Sequence, residues 1–229
     1  MRWVSVLLTL VCPVSSWAQI DKAADEWLQK CFQAYSQLQS LQSKTTLTVL
    51  MVTPRTPEGV PIQKYLYAYT AQPPARLNLL VQDLNAKDEG QRYVSNGQTL
   101  TAGSETKPVA NSGAALLEQL AAAEVVPTYD IVFLVGGRNS QEKFRKQITQ
   151  LRIANETDTQ ITLTGRIKNE RGKEDGLEIV IDKATLLMTT LKIRTEVKIE
   201  EQPGAFILVM AFDAKPNVEV SEQTFAASK

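Results

Sequence analysis

The sequence offers few side chains that could perform catalysis. It contains no histidine, which excludes Ser-His and Cys-His nucleophiles and the usual histidine-containing zinc sites. Two adjacent carboxylate pairs could act as acid and base, Asp88 with Glu89 and Glu200 with Glu201. Neighbours on a strand point to opposite faces, so the second pair does not converge on one substrate. The first pair lies in a polar loop typical of solvated charges. We therefore expect no catalytic residue, no metal and no cofactor.

Other candidate chemical groups also favour a non-enzymatic protein. Cys31 lies on the apolar stripe of a predicted helix with no cationic neighbour, which indicates a small buried hydrophobe rather than a nucleophile. Gly136-Gly137-Arg138 and Gly165 lack the spacing of a phosphate-binding loop. The formal net charge is zero and no basic run is present, so we expect neither nucleic acid nor an anionic membrane surface as a partner.

Residues 1–18 predict a secretory signal peptide. Arg2 forms the short basic region, Val4–Val14 the apolar region, and Ser16-Trp17-Ala18 places small residues before a cleavage site at Gln19. The apolar run is too short and wrongly flanked for a membrane-spanning helix. The mature chain is thus expected to have no transmembrane segment.

The mature chain, 19–229, is predicted to be one soluble periplasmic domain and a monomer. Cys12 suggests a lipoprotein, but bulky Val11 precedes it where a lipidation signal requires a small residue, so we favour a protein without a lipid anchor. After cleavage only Cys31 remains, which excludes an intramolecular disulfide.

Apolar and polar residues alternate without a break over Thr185–Glu201, which predicts a β-strand with one apolar face and one solvent-facing polar face. The apolar-side positions are Leu187, Thr189, Leu191, Ile193, Thr195, Val197 and Ile199. The same alternation occurs in three neighbouring segments, Ile161–Ile167, Leu177–Ile181 and Phe206–Phe212. Together they predict a four-stranded antiparallel meander with turns at Asn169–Asp175, Asp182–Ala184 and Gln202–Gly204.

The first half of the mature chain also predicts a meander. Its strands are expected at Lys44–Val52, Ile62–Thr70 and Leu77–Gln82, followed by a hairpin around Asn96-Gly97, a pair suited to a type I′ turn. A linker with Pro54, Pro57 and Pro61 is expected to interrupt pairing between the first two strands. Tyr65, Tyr67 and Tyr69 share one face, which we assign to the outer, half-exposed side of the sheet, although such a ladder can also form a ligand wall.

Helices are predicted before and between the two meanders. Asp21–Gln42 has apolar residues at helical spacing and Asp21 as its cap. The interruption Val109–Gln147 predicts a short helix behind Asn111 and Ser112. It also contains the apolar run Tyr129–Val135, either a buried strand or, as we favour, a helix ending at Gly136. Asn139 and Glu142 resemble a capping box for a last turn through Phe144.

Three short motifs resemble the LolA-like periplasmic proteins, the superfamily of outer-membrane lipoprotein carriers, and within it the DUF2092-type proteins. They are Pro73-Pro74-Ala75-Arg76, Ser95–Leu100 and the closing Asn217–Phe225. The resemblance implies an α+β fold: a strongly curved antiparallel sheet, an unclosed β-barrel, with the N-terminal helix and the mid-chain helical insert covering its concave face. In the family a basic residue stands beside the cavity, and Arg76 is the position that could correspond.

Two functions follow from the resemblance. In the first, the protein binds a hydrophobic ligand, a lipid or the acyl chains of a lipoprotein, between sheet and helical lid. The residues expected to line this cavity are Leu28, Phe32, Tyr35, Leu116, Leu117, Leu120, Phe133 and Leu134. In the second, the fold is a non-catalytic sensor that binds another envelope protein through Tyr65, Tyr67 and Tyr69. Periodicity alone leaves both open, because a ligand cavity and a filled core need the same opposed apolar faces.

Overall fold

The computed structural model describes residues 20–86, 89–199 and 201–226. The predicted signal peptide with Cys12, and the carboxylates of Asp88 and Glu200, lie outside the described residues.

Eleven antiparallel strands form one sheet. In chain order they are β1 (Leu41–Thr53), β2 (Thr56–Gln72), β3 (Arg76–Asp83), β4 (Gln91–Asn96), β5 (Thr99–Ala102), β6 (Glu105–Pro108), β7 (Ile148–Glu156), β8 (Gln160–Lys168), β9 (Glu174–Asp182), β10 (Met188–Ile199) and β11 (Gln202–Pro216). Across the sheet the order is β6-β5-β4-β3-β2-β1-β11-β10-β9-β8-β7. The two meanders are joined where β1 pairs with β11, and β6 and β7 form the two edges, so the sheet is not closed.

Four helices and a short turn complete the described fold. They are α1 (Lys22–Gln37), α2 (Gly113–Ala122), α3 (Tyr129–Val135), α4 (Gly137–Gln147) and a 3₁₀ turn at Glu222–Phe225. Asp21 caps α1 as predicted, accepting a hydrogen bond from the Ala23 amide at 2.9 Å. Ser112 caps α2 by accepting one from the Ala115 amide at 3.3 Å. The predicted fold class, an open antiparallel sheet with an N-terminal helix and a mid-chain helical insert, is confirmed.

The core lies between the helices and one face of the sheet, here called the inner face. Leu77 and Leu79 of β3 and Ile179 of β9 are fully buried there, and α1 contributes Leu28 and Tyr35 from the opposite side. Complete burial of such a side chain stabilises the fold by about 1.5–3 kcal/mol. The predicted alternation in the C-terminal strands thus identifies the residues of the inner face.

The first helix is shorter than predicted. It ends at Gln37, and β1 begins at Leu41, which the sequence analysis placed on the helix. Leu41, Ser43 and Thr45 alternate as buried residues on the strand. From Leu41 to Leu47 every second residue is buried, which is the pattern of a strand and not of a helix.

The proline linker between the first two strands is a wrong prediction. Strand β2 starts at Thr56 and runs through Pro57 and Pro61, leaving only two residues between it and Thr53. The register shifts at Val49/Leu50 and at Met51/Thr53. Such irregularities accommodate residues that lack an amide donor, which explains why pairing continues.

Two other turns differ from prediction. Strand β11 already includes Gln202–Gly204, because Gln202 pairs with Ile199 of β10. The hairpin at Asn96-Gly97 is confirmed, but its turn is not type I′, since only Gly97 has a positive φ, at 97°. The Asn96 side chain instead accepts hydrogen bonds from the amides of Gln98 and Thr99.

The helical insert ends at Gln147 as predicted, but its last helix is longer than the single turn expected through Phe144. The favoured helix at Tyr129–Val135 is confirmed, and the Gly136 amide donates to the Val132 carbonyl at its end. A new helix starts at once, because Gly137 adopts a φ of 56° that redirects the chain. The predicted capping box is wrong: Asn139 lies inside α4, and Glu142 pairs with Arg138 at 2.8 Å.

Strands β6 and β7 were not predicted. Register shifts at Ile148/Gln150 and Ile153/Asn155 break the alternation of β7, which hides its period of two. Strand β6 is only four residues long.

Candidate ligand-binding site

The eight residues predicted to line a cavity are placed mostly in the packed core. Leu28, Tyr35, Leu116, Leu120 and Phe133 are fully buried, Phe32 and Leu134 nearly so, and Leu117 is half-buried. Within this set the structure brings the aromatic residues of α1 and α3 into direct contact and places the leucines of α2 beside them in one cluster. Their part in ligand binding stays a prediction.

Phe133 is the centre of the aromatic packing. Its ring centroid lies 5.1 Å from that of Phe32, 5.9 Å from Tyr35, 5.8 Å from Tyr129 and 5.2 Å from Phe144. Most of these contacts are edge-to-face, the arrangement that aromatic pairs prefer. Side chains of α1, α3 and α4 therefore pack around Phe133, while a surface groove of about 400 Å³, with Phe32 in its wall, opens between α1 and α4.

A buried polar network, missed by the sequence analysis, attaches α3 to the sheet. Asp130 is completely buried and accepts hydrogen bonds from the hydroxyls of Tyr69, Thr128 and Thr45 and from the Ile131 amide. Burial raises the pKa of Asp130, while these hydrogen bonds act in the opposite direction. Because no part of Asp130 is exposed, the network fixes the helix in place and offers no surface to a substrate.

The tyrosines of β2 lie on the inner face, so their predicted assignment to an outer, half-exposed face is wrong. Tyr67 and Tyr69 are buried and Tyr65 is half-buried. Tyr67 pairs with Thr45 and Tyr65 pairs with Leu47, both of which face the core. Paired residues of an antiparallel ladder share a face, which explains the orientation.

A pocket of about 560 Å³ opens beyond the helices, between the inner face and the loop Ala123–Val126 that joins α2 to α3. Leu47 and Val49 of β1, Val81 of β3 and Leu208 of β11 form its aliphatic wall. Its volume falls within the range of roughly 300–1,000 Å³ found for ligand pockets. None of the eight predicted lining residues belongs to its described wall.

Three tyrosines supply polar groups inside this pocket. Tyr65, Tyr67 and Tyr93 all line it, and none of their hydroxyls makes a hydrogen bond to another described residue. Burial, with smaller contributions from the two neighbouring tyrosines, raises the pKa of Tyr67 to about 12. The wall therefore presents neutral hydrogen-bond donors within an apolar surface.

The exposed large hydrophobic residues of the described chain gather at the same end of the sheet as the pocket. They are Val60, Ile62, Leu84, Val126 and Phe206, with exposed fractions from 37% to 64%. Val126 lines the pocket itself, and the others lie within three residues of pocket-lining positions on β2, β3 and β11. Val126 thus adds exposed apolar surface to the pocket, a feature that marks interaction sites.

Arg76, the position considered for a basic residue beside the cavity, is engaged elsewhere. Its guanidinium lies 2.7 Å from the Glu222 carboxylate and 5.8 Å from the Phe225 ring centroid. Both partners belong to the 3₁₀ turn, which packs against β3 and β4. Arg76 thus anchors the C-terminal turn.

Cys31, a further candidate for reactivity, lies in the core. Cys31 is fully buried, as predicted, and burial raises its pKa to about 12. Within residues 20–86, 89–199 and 201–226, histidine, cysteine, aspartate and glutamate side chains form no group of three that could hold a metal ion. In the same part of the chain, every helix is too short or too polar to cross a membrane.

Comparisons with known proteins yield structural similarities only. No protein-family model matches the chain, and no curated protein is significantly similar in sequence. Among solved structures it is similar to LprF from Mycobacterium bovis, with a TM-score of 0.49 and 12% identity, covering 88% of this chain and 96% of that one. A second is MucB, with a TM-score of 0.45 and 14% identity, covering 91% of this chain and 64% of that one.

A third similar structure is a LolA superfamily protein from Nitrosomonas europaea, with a TM-score of 0.37 and 12% identity, covering 89% of this chain and 97% of that one. Its name is that of the superfamily that the sequence resembles, whereas a relation to DUF2092-type proteins stays a prediction. At these TM-scores and identities, nothing about the ligand or the partners of this chain follows from the similarities.

Proposed function

We propose that the protein binds a hydrophobic ligand, a lipid or the acyl chain of a lipoprotein, in the pocket between the inner face and the loop Ala123–Val126. The observation that carries this proposal is an apolar pocket of about 560 Å³ with the chain's exposed hydrophobic residues gathered at the same end. An acyl chain there would contact the sheet on one side and the loop on the other.

The energetics favour an elongated apolar ligand. Each methylene group transferred from water into such a site contributes about 0.8 kcal/mol. The half-buried side chains of Val49, Val81 and Leu208 would lose their remaining contact with water on binding.

In this proposal the eight predicted residues support the site. Leu116, Leu117 and Leu120 belong to α2, whose C-terminal end leads directly into the pocket loop. The aromatic residues of α1 and α3 hold the helices against the sheet. We also propose a periplasmic location for a mature domain of residues 19–229, based on the signal peptide predicted for 1–18.

Native mass spectrometry of the exported protein, purified without detergent and followed by organic extraction, tests the proposal. We expect a stoichiometric acyl-containing adduct that is lost on unfolding. The variant Leu208→Asp places a charge in the apolar wall and should abolish the adduct. Ile207→Asp is the matched control, because the neighbouring side chain points to the opposite face of β11 and is also half-buried.

A clean ligand-free mass for the wild-type protein would contradict the proposal, as would an unchanged adduct in a folded Leu208→Asp variant. The alternative, a sensor that binds another envelope protein, stays a prediction. Burial of Tyr67 and Tyr69 removes the surface first considered for it. A protein that co-purifies with the ligand-free chain and is lost on substitution of Val126 and Phe206 would favour that alternative.

A further inference from the structure

The charged side chains that line the pocket are all acidic. Asp83, at the end of β3, and Glu124, in the loop between α2 and α3, belong to its wall, and its described lining contains no lysine or arginine. Neither carboxylate lies within 4.0 Å of a cationic group among the described residues. Within the described residues, the rim of the pocket therefore carries two acidic side chains and no basic one.

The position of Asp83 is fixed by its surroundings. It pairs with Tyr65 in the ladder between β2 and β3, so both side chains project from the inner face. One carboxylate oxygen accepts a hydrogen bond from the Asn85 amide at 2.8 Å, which holds the side chain at the turn. Asp83 is also half-buried, and water therefore screens its charge less than that of a fully exposed group.

Besides the two acidic side chains, the pocket contains neutral polar groups that can bind a ligand by hydrogen bonds. The free hydroxyls of Tyr65, Tyr67 and Tyr93 can donate hydrogen bonds to ester, ether or hydroxyl oxygens of a ligand. Gln63 and Gln91 add amide groups that both donate and accept. An uncharged head group finds partners here, whereas a phosphate or carboxylate meets the carboxylates of Asp83 and Glu124 and no lysine or arginine of the described lining.

We propose that the pocket selects acyl lipids whose head group is uncharged and bears oxygen atoms, such as acylglycerols, and rejects lipids with an anionic head group. This inference rests on the proposed function and specifies its ligand class. Like charges brought together at a binding site disfavour the wrong ligand strongly, which is a recognised source of specificity.

Two probes that share a sixteen-carbon alkyl chain test this selectivity. Hexadecylglycerol is uncharged, and hexadecyl phosphate is anionic. Both are titrated below their aggregation concentrations against the full exported protein. We expect hexadecylglycerol to bind at least about tenfold more tightly at low salt. The ratio of the two affinities should decrease as salt is added, because salt screens the repulsion at the rim.

The double variant Asp83→Asn with Glu124→Gln should reduce this ratio to near one. The matched control, Glu170→Gln with Glu174→Gln, removes two exposed carboxylates, one from the β8–β9 turn and one from the start of β9, and should leave the ratio as in the wild type. A ratio near one in the wild-type protein, or a salt-independent ratio, would overturn the selectivity while leaving hydrophobic binding intact. Failure of both probes to bind would overturn the proposed function itself.

Discussion

Asp130 should make the stability of this protein depend on pH in an identifiable way. Its carboxyl is fully buried without a cationic partner, and burial raises its pKa above the usual range. The folded state therefore holds the proton more tightly than the unfolded state. The contribution of Asp130 to stability is fully present below the unfolded pKa, about 3.9. It is lost as the pH rises through the folded pKa.

The expected slope follows from the single proton involved. One group that is protonated in the folded state and ionised in the unfolded state lowers the free energy of unfolding by at most about 1.4 kcal/mol per pH unit. The chain contains no histidine, so the side chain that ordinarily titrates between pH 5 and pH 8 contributes nothing. Hydrogen bonds lower the pKa values of Asp182 and Glu222, so these two groups act in the opposite direction at acidic pH, and the Asp130→Asn variant supplies the background for the comparison.

Two variants separate the charge from the hydrogen bonds. Asp130→Asn keeps an acceptor but cannot ionise, so its stability should not fall over this pH range. Asp130→Ala leaves the buried hydroxyls of Tyr69, Thr128 and Thr45 without their acceptor and should destabilise the protein by roughly 2–5 kcal/mol at acidic pH. Urea unfolding followed by circular dichroism measures both at several pH values. A wild-type curve parallel to that of Asp130→Asn would refute the reasoning.

Three further predictions concern packing. Phe133→Ala should lower the free energy of unfolding by about 3–5 kcal/mol, and a loss below about 1.5 kcal/mol would show that the helices are not packed around this ring. Gly113→Ala would place a Cβ 1.7 Å from the Val135 carbonyl oxygen and 2.7 Å from that of Pro74, so α2 must shift; we expect about 1–3 kcal/mol of destabilisation in urea unfolding, and a neutral effect would contradict this close approach. The Cys31 thiol, whose pKa is raised to about 12, should not react with a thiol reagent at pH 8 until urea unfolds the chain, and rapid native labelling would show that α1 opens.

The elements of the fold could be predicted where one periodicity dominates. The alternation of apolar and polar residues through β10 fits only a strand, and the spacing of apolar residues around Leu28 fits only a helix. Both elements are observed. The tyrosines of β2 show the limit of this reasoning. Alternation determines that Tyr65 and Tyr67 share a face, but Leu66 on the other side is also apolar, so the inward side follows only from pairing with β1.

The candidate site could not be predicted for a related reason. Leu116 and Val126 are both apolar residues of the helical insert, yet Leu116 is buried in the core whereas Val126 is exposed and lines the pocket. The difference depends on where α2 ends relative to the sheet. The strands of that sheet come from segments far apart in the sequence. The pairing of Val49 with Leu208 is one such contact, and no local pattern contains it.

The central position of β11 has a consequence for the order of folding. This last strand lies between β1 and β10, so the two halves of the sheet stay unconnected until the C-terminal segment has paired with both. Contacts between such distant segments form slowly, and incomplete sheets leave strand edges exposed to aggregation. Because Leu208 also belongs to β11, the pocket wall is complete only once this pairing is made. A chain still being synthesised or exported therefore lacks one wall of the pocket, and the proposed ligand would bind only after β11 has paired with β1.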